Sequence, residues 1–127
     1  MLVAMPTDDV TPARVLLGPL EPMVRLGMTE VLREGGVEVI GHEERSETLV
    51  LMAGRLRPDA VVLDLLERSA RELAERVRAA APDVKVVLWA RDEDAMEVLD
   101  PGAGSPRRFV SALADELRSE LCGVPGT

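Results

Sequence analysis

Short apolar runs alternate along this chain with longer segments in which apolar residues recur every three or four positions. The short runs are typical of buried strands, and the longer segments are typical of helices that pack one face against a sheet. The predicted strands are 14–18, 37–41, 60–65 and 84–90. The predicted helices begin at Pro22, Ser46 and Ser69. The pattern therefore predicts repeated strand–helix units.

The pattern changes after the fourth predicted strand. About six mostly acidic residues separate it from a weak fifth strand over 97–100, and a parallel crossover needs a dozen or more residues. Either a short loop makes this connection, or the fifth strand is an antiparallel edge. Ser105 followed by Pro106 is typical of a helix start, which predicts a last helix with one buried face. That face comprises Phe109, Val110, Leu113, Leu117 and Leu121.

Repeated strand–helix units predict an α/β fold built on a mostly parallel sheet. We expect one domain over residues 14–121, preceded by a flexible arm over 1–13 and followed by a tail or linker stub over 122–127. In sheets of this kind, functional sites lie at the edge where the parallel strands end. The residues expected at this edge are Pro19, Leu20, Glu21, Asp64, Trp89, Ala90 and Asp100.

Composition argues against several classes of function. The 127 residues carry a formal net charge of −8, which disfavours a nucleic-acid-binding surface. One Cys, Cys122, and one His, His42, rule out a disulfide framework and a metal site rich in Cys or His. There is no apolar run of about 18 residues that could span a membrane. A cytoplasmic protein without a cofactor is therefore expected.

Three stretches of the sequence resemble the receiver domains of bacterial response regulators, most closely those of the NarL/LuxR type. They are RVLLGPLEPMVRLGMTEVLREGG (14–36), VEVIG (37–41) and RPDAVVLDL (57–65). The resemblance covers about residues 14–121. It implies a flavodoxin-like (CheY-like) doubly wound sheet of five strands in the order 2-1-3-4-5. The fourth helix of that fold is expected to be missing or reduced here.

A working receiver transfers a phosphoryl group to an Asp at the end of its third strand, and the resemblance implies that Asp64 is the equivalent residue. An acidic pair that holds Mg²⁺, a Thr or Ser, and a Lys complete the family's site. In this sequence those positions align with Pro19 and Leu20, with Trp89, and with Asp100. A phosphoryl group beside Asp100 would face a like charge, which costs about 4 kcal/mol at a separation of about 4 Å and an effective dielectric of about 20.

These substitutions lead us to expect an atypical receiver, a pseudo-receiver, which acts in signal transduction or transcriptional control without phosphorylation and is not an enzyme. Loss of the fourth helix is expected to leave the fourth and fifth strands under-covered, which would favour a homodimer. Other expected partners are a protein partner or a C-terminal DNA-binding output domain, which usually follows in NarL/LuxR-type proteins. The length of the chain leads us to expect a stand-alone protein or an excised domain.

Several alternatives stay open at this point. The altered pocket could bind a small molecule, with Trp89 filling the former phosphate site. Glu21 and Asp64 could instead build a Mg²⁺ site that keeps Asp64 as a residual phosphoacceptor. Glu21, Asp64 and Asp100 could form a new carboxylate site for a hard cation, although separate solvated acids are the simpler interpretation.

Overall fold

The computed structural model describes residues 12–90, 95–109 and 120–121. Its strands are β1 (Arg14–Leu17), β2 (Glu38–His42), β3 (Ala60–Asp64), β4 (Lys85–Ala90), β5 (Ala95–Leu99) and β6 (Arg107–Phe109). Its complete helices are α1 (Pro22–Glu34), α2 (Ser46–Leu56) and α3 (Ala70–Ala80). The strands form one sheet in the order β2-β1-β3-β4-β5-β6. The predicted α/β class and the order 2-1-3-4-5 are confirmed, with a sixth strand added beside β5.

Proline and left-handed backbone positions set the ends of the first two helices. α1 begins at Pro22, whose fixed φ suits a first helical turn, and the chain turns away at Gly36, which has a φ of 85°. α2 is followed by Arg57 in the left-handed region with a φ of 48°, one residue before Pro58, which cannot continue a helix. No helix in the described part of the chain is both long and apolar enough to cross a lipid bilayer.

The inner strands are covered by helices on both faces of the sheet. β3 pairs in parallel with β1 and with β4, and four of its five residues are buried. One face packs against α1 through Met28 and Leu32 and against the helical residue Leu121. The other face packs against α2 and α3 through residues such as Leu49 and Leu73. Burial on both faces explains why these strands are continuous apolar runs in the sequence.

The direction of β5 decides between the two connections that the sequence leaves open. β4 ends at Ala90 and β5 begins at Ala95, and these two residues pair with each other in an antiparallel ladder. Only residues 91–94 lie between the two strands. An antiparallel pair needs only such a short connection, whereas a parallel crossover usually contains a helix. The fourth helix of the expected fold is therefore missing, as predicted.

A sixth strand stands where the sequence predicts the start of the last helix. Residues 107–109 pair antiparallel with residues 96–98 of β5, so the prediction of a helix from Pro106 is wrong for these residues. The turn after Asp100 places them beside β5, and the ladder takes their hydrogen bonds. Leu121 is helical and buried, as predicted. The predicted helix positions Val110, Leu113 and Leu117, residues 1–11 of the predicted arm over 1–13, and the tail over 122–127 lie outside the described residues.

The face that a fourth helix would cover is closed by a charged cluster, so the prediction of under-covered strands is wrong. Leu88 of β4 and Leu99 of β5 are 1% and 8% exposed. Between them, Glu97 is buried and accepts hydrogen bonds from both terminal nitrogens of Arg71 on α3. Arg108 on β6 approaches the same carboxylate at 3.6 Å. The apolar stems of long arginine side chains can cover a strand in this way.

Candidate functional site

The edge where the parallel strands end, called here the carboxyl edge, gathers most of the predicted site residues. Asp64 ends β3 and is the register partner of Trp89 on β4. Register partners in neighbouring strands leave the sheet on the same face, which here is the face covered by α1. Pro19 and Leu20 follow β1, which pairs with β3. The structure therefore brings these residues to one edge, while their roles stay predictions.

Asp64 is half-buried, and its carboxylate is used by its own turn. Oδ1 accepts a hydrogen bond from the backbone N–H of Leu66 at 3.0 Å. The backbone carbonyl of Asp64 accepts another from the N–H of Glu67 at 3.1 Å. An aspartate that bonds to the backbone two residues on is a common turn former. The observed contacts of Asp64 therefore match a strand-end residue that holds the turn between β3 and α3.

Trp89 presents an apolar ring at the position that the resemblance aligns with the Thr or Ser of a receiver. The ring packs against the core on the α1 face. Its indole nitrogen Nε1 is buried and has no hydrogen-bond partner among the described residues. Across the ladder, Trp89 pairs with Met96 of β5, which is fully buried. A buried donor without an acceptor costs about 1–3 kcal/mol, and this N–H is the one such side-chain atom found in the described part of the chain.

The segment after β1 offers no buried carboxylate beside Asp64. Leu20 is 8% exposed and belongs to the apolar core, and Pro19 is half-buried. Glu21 precedes the first residue of α1, is exposed, and makes no side-chain capping hydrogen bond. Within the described residues, no group of three or more His, Cys, Asp or Glu side chains is placed to hold a metal ion.

Asp100 does not lie at the carboxyl edge, so its predicted place in the pocket is wrong. β5 is antiparallel to β4, and its last residue, Leu99, pairs with Val86 near the start of β4. Asp100 therefore follows β5 at the opposite edge of the sheet, called here the amino edge. The like-charge penalty expected from Asp100 does not arise at Asp64, and a cation site shared by Glu21, Asp64 and Asp100 is excluded by this separation.

At the amino edge, four charged residues form a network called here the amino-edge cluster. Its members are Lys85, Asp100, Arg107 and Glu120. Arg107 donates to both carboxylate oxygens of Asp100 at 2.7 and 2.9 Å and to Glu120 at 2.9 and 3.2 Å. Lys85 adds a contact of 3.3 Å to the Glu120 carboxylate. The network joins β4, β6 and the helical residue Glu120 to the turn after β5.

These contacts shift the pKa values of the acids in the cluster. The hydrogen bond from Arg107 lowers the pKa of Asp100 below its usual value. Burial by itself raises the pKa of Glu120, but the hydrogen bond from Arg107 and the charge of Lys85 outweigh burial and leave that pKa lowered. Sequence reasoning missed this cluster, because it forms only when β5 runs antiparallel and β6 pairs with it.

The Glu97 cluster is a second group that sequence reasoning missed. The hydrogen bond from Arg71 lowers the pKa of Glu97 against the opposing effect of burial, and the positive charge of Arg108 acts in the same direction. A charged residue between apolar neighbours in a strand was the available signal. Its partner Arg71 lies on α3, 26 residues before Glu97, and its partner Arg108 lies on β6, after the turn that follows β5. Spacing in the sequence therefore does not reveal these contacts.

Relatives among curated proteins are bacterial response regulators. The response regulator protein VraR of Staphylococcus saprophyticus is 29% identical over 100 residues, which cover 74% of this chain and 48% of that protein. The transcriptional regulatory protein PdtaR of Mycobacterium tuberculosis is 28% identical over 100 residues, which cover 76% of this chain and 49% of that protein. The chain thus spans about half the length of the curated relatives that it matches.

A solved structure shares the fold. It is the REC domain of AraT, a response regulator from Geobacillus stearothermophilus. The match has a TM-score of 0.53 and 24% sequence identity, and it covers 63% of this chain and 65% of that chain. No family model matches the sequence. The curated relatives and this shared fold together confirm the resemblance to response-regulator receiver domains.

Proposed function

We propose that this chain, whose relatives are response regulators and whose fold is that of a receiver domain, works as an atypical receiver. It acts in signal transduction or transcriptional control in the cytoplasm, without phosphorylation and not as an enzyme. It transmits its signal by dimerising or by binding a protein partner. The observation that carries this proposal is the apolar replacement around Asp64, where Leu20, Trp89 and Met96 are buried or half-buried.

Phosphoryl transfer to Asp64 would need positive charge at the carboxyl edge. In working receivers, Mg²⁺ and a Lys balance the charge of the transferred group. Lys85 is the chain's single lysine, and it lies at the amino edge, in contact with Glu120. The described residues beside Asp64 offer neither a lysine nor a second buried carboxylate for a metal ion. This distribution of charge supports a role that does not depend on phosphorylation.

The test of this proposal is intact mass spectrometry after incubation with acetyl phosphate and Mg²⁺. We expect no adduct of about 80 Da, the mass that a phosphoryl group adds. Trp89 is the only tryptophan, so its fluorescence should also stay unchanged when beryllofluoride and Mg²⁺ are added. An adduct that is absent in the Asp64→Ala variant would contradict the proposal and would establish Asp64 as a residual phosphoacceptor.

The proposed homodimer is tested by light scattering over a range of concentrations up to tens of micromolar, since association depends on protomer concentration. Burial of Leu88 and Leu99 removes the exposed strands on which this expectation was based, so a measured mass near twice the 13.8 kDa of the single chain is needed to support dimerisation. A mass that stays at one chain throughout this range would contradict the dimer and leave binding of a protein partner as the mode of action.

A second candidate function is binding of a small molecule at the altered pocket. The observation that favours it is the buried Nε1 of Trp89, a donor without a partner. A ligand carrying a hydrogen-bond acceptor would satisfy this N–H and remove its cost of about 1–3 kcal/mol. A thermal shift produced by a compound from a metabolite panel, together with a change in Trp89 fluorescence, would support this function. The same shift in a Trp89→Phe variant would contradict it.

A further inference from the structure

A cavity at the amino edge lies between the C-terminal half of α3 and the turn that joins β5 to β6. Its volume is about 520 Å³, within the range of about 300–1,000 Å³ that is usual for small-molecule sites. It is lined by Glu75, Arg78 and Ala79 of α3, by Pro82 after that helix, and by the turn residues 102–104. It lies away from Asp64 and Trp89, which belong to the carboxyl edge.

The direction of β5 creates this cavity. β5 ends beside the start of β4, so the turn that begins at Asp100 lies next to the end of α3. The turn is held by a hydrogen bond of 3.0 Å from the N–H of Ala103 to the carbonyl of Asp100, and Gly102 has a φ of 77°. That φ is typical of the glycine position in such turns. A parallel β5 would end at the carboxyl edge, so the cavity follows from the topology of this chain.

Arg78 supplies the positive charge of the cavity. Its side chain is 18% exposed and is fixed by two hydrogen bonds. Nη2 donates to the carbonyl of Ala103 at 2.7 Å, and Nη1 donates to the Glu75 carboxylate at 3.1 Å. A guanidinium has five N–H donors, so three remain without a partner among the described residues. A fixed guanidinium with spare donors is suited to a carboxylate.

Hydrogen-bond acceptors lie beside this guanidinium. The Glu75 side chain is 67% exposed, and in the described part of the chain its Oε1 has no hydrogen bond. α3 ends at Ala80, and the last carbonyls of a helix have no partner within that helix. Their partial negative charge favours a cation at this end of α3. The cavity therefore also suits an ammonium group.

The remaining lining of the cavity is apolar or lacks side chains. Ala79, Pro82 and Ala103 present small hydrocarbon groups, and Gly102 and Gly104 present only backbone. A ligand that matches the whole lining therefore combines a carboxylate, an ammonium group and a short apolar portion.

We propose that the cavity binds a free α-amino acid with an aliphatic side chain. The spare N–H groups of Arg78 donate to the carboxylate of the amino acid, and its ammonium group donates to Glu75. The aliphatic side chain packs against Ala79 and Pro82. One positive and one negative side chain match a zwitterion better than a singly charged ion, which one of them would repel. The inference goes beyond the proposed function, since the site uses none of the residues around Asp64.

Calorimetry with the full chain and L-leucine tests this site. We expect saturable binding. Two analogues keep the branched hydrocarbon of leucine: 4-methylpentanoate lacks the ammonium group, and 3-methylbutylamine lacks the carboxylate. We expect each analogue to bind about tenfold more weakly or worse, because each leaves one charged side chain of the cavity without its partner. Absence of saturable leucine binding, or equal binding of either analogue, would overturn the proposal.

Two glycine substitutions locate the site. A Cβ added at Gly104 meets no atom within 4 Å, so Gly104→Leu adds a side chain to the cavity wall without a clash at its Cβ. We expect this variant to raise the Kd for L-leucine by about tenfold or more, since the new side chain takes space from the ligand. Gly27→Leu is the matched control, because a Cβ at Gly27 also meets no atom within 4 Å but lies on α1. An equal loss in Gly27→Leu would overturn the proposal.

Glu75→Gln tests the ammonium contact without filling the cavity. Glutamine keeps an oxygen that accepts a hydrogen bond from Arg78 but lacks the negative charge. We expect the Kd for L-leucine to rise by about tenfold, while 4-methylpentanoate binds as before or more tightly. Unchanged leucine binding in this variant would contradict the proposal.

The fluorescence of Trp89 separates this site from the altered pocket. Trp89 is the only tryptophan and lies at the other edge of the sheet, so L-leucine should leave its emission unchanged. If leucine changes the emission and its binding is lost in Trp89→Phe, the ligand occupies the altered pocket and the inference is wrong. If acetyl phosphate modifies Asp64 while Gly104→Leu still weakens leucine binding, the proposed function is wrong and the cavity site stands.

Discussion

The two edges of the sheet differ in how completely their polar side chains are paired. At the amino edge, Asp100 and Glu120 are both held by Arg107, and Lys85 adds a second cation. At the carboxyl edge, the Asp64 side chain bonds only to its own turn, and the indole N–H of Trp89 has no acceptor. Among the described residues, the denser charge network therefore lies at the edge at which receivers carry no chemistry, and the carboxyl edge has the ion pair of Arg25 with Glu44 at 3.4 Å.

This difference follows from the direction of one strand. A parallel β5 would end at the carboxyl edge and would carry Asp100 to Asp64. The antiparallel β5 begins there instead and brings buried Met96 beside Trp89. The same reversal sets Asp100 next to Lys85 and Arg107 at the amino edge. One change in topology thus removes charge from one edge and concentrates it at the other.

The largest effect is expected from the Arg107→Ala substitution at the amino edge. It removes the donor shared by Asp100 and Glu120 and leaves Glu120, which is 17% exposed, beside Lys85 alone. We expect the free energy of unfolding to fall by about 2–3 kcal/mol, since truncating one partner of a charged hydrogen-bonded group leaves the other unsatisfied. Urea denaturation followed by circular dichroism measures this loss.

The control for that substitution is Arg76→Ala. Arg76 is an exposed arginine on α3 for which the described residues show no ion pair. We expect its replacement to change the free energy of unfolding by less than about 0.5 kcal/mol. A similar small change in Arg107→Ala would mean that the amino-edge cluster does not stabilise the fold, and the contrast between the two edges would fail.

A smaller effect is expected from acid. The pKa values of Asp100 and Glu120 are lowered in the folded chain from ordinary values of 3.8 and 4.5. Their contribution to stability is therefore present above those ordinary values and is lost as the pH falls through the lowered ones. We expect the free energy of unfolding to decrease by about 1–2 kcal/mol on acidification below about pH 4.

The Arg107→Ala variant sharpens this measurement. It lacks the hydrogen bonds that lower these two pKa values, so its stability should depend less steeply on pH in the same range. Glu97 keeps its partner Arg71 and retains part of the slope, because its pKa is lowered as well. An identical pH profile in the variant and the parent chain would contradict this assignment and show that the contacts of Arg107 do not set the acid sensitivity.

The sequence predicts the parallel half of the sheet well and the last two strands poorly. Continuous apolar runs such as 60–65 specify a buried strand without any tertiary information, and the ends of α1 and α2 follow from Pro22 and Gly36 and from Pro58. The connection after β4 is too short to contain a crossover helix, so the missing helix can also be predicted from the sequence. The direction of β5, in contrast, depends on how its backbone pairs with β4, and the residues EVLD (97–100) are compatible with parallel and with antiparallel pairing.

The site shows the same division. Asp64 and Trp89 lie at the carboxyl edge, as predicted by aligning the ends of the third and fourth strands with those of a receiver. Both positions are fixed by long apolar strands. Asp100 is misplaced because its position depends on the direction of β5. The helix start at Ser105-Pro106 is a genuine local preference, but pairing of β6 with β5 overrides it. The local helix-start pattern is misleading at these residues because pairing with β5 gives their backbone N–H and C=O groups hydrogen-bond partners outside a helix.

The smallest effect is expected from Trp89→Phe at the carboxyl edge. Phenylalanine keeps an apolar ring against the core but removes the indole N–H, which has no partner to lose. The lost ring area destabilises, and removal of an unsatisfied donor offsets it by about 1–3 kcal/mol. We expect the free energy of unfolding to change by less than about 1 kcal/mol, measured by circular dichroism because no tryptophan remains.

Trp89→Ala is the control, and it should cost about 2–3 kcal/mol, since it leaves a cavity beside Met96 and Leu20. The two variants separate the packing of the ring from the chemistry of its nitrogen. If Trp89→Phe costs as much as Trp89→Ala, the indole N–H has an acceptor in solution. The polar group of Trp89 at the carboxyl edge would then be paired as well. The contrast between the two edges in the pairing of their polar groups would no longer hold.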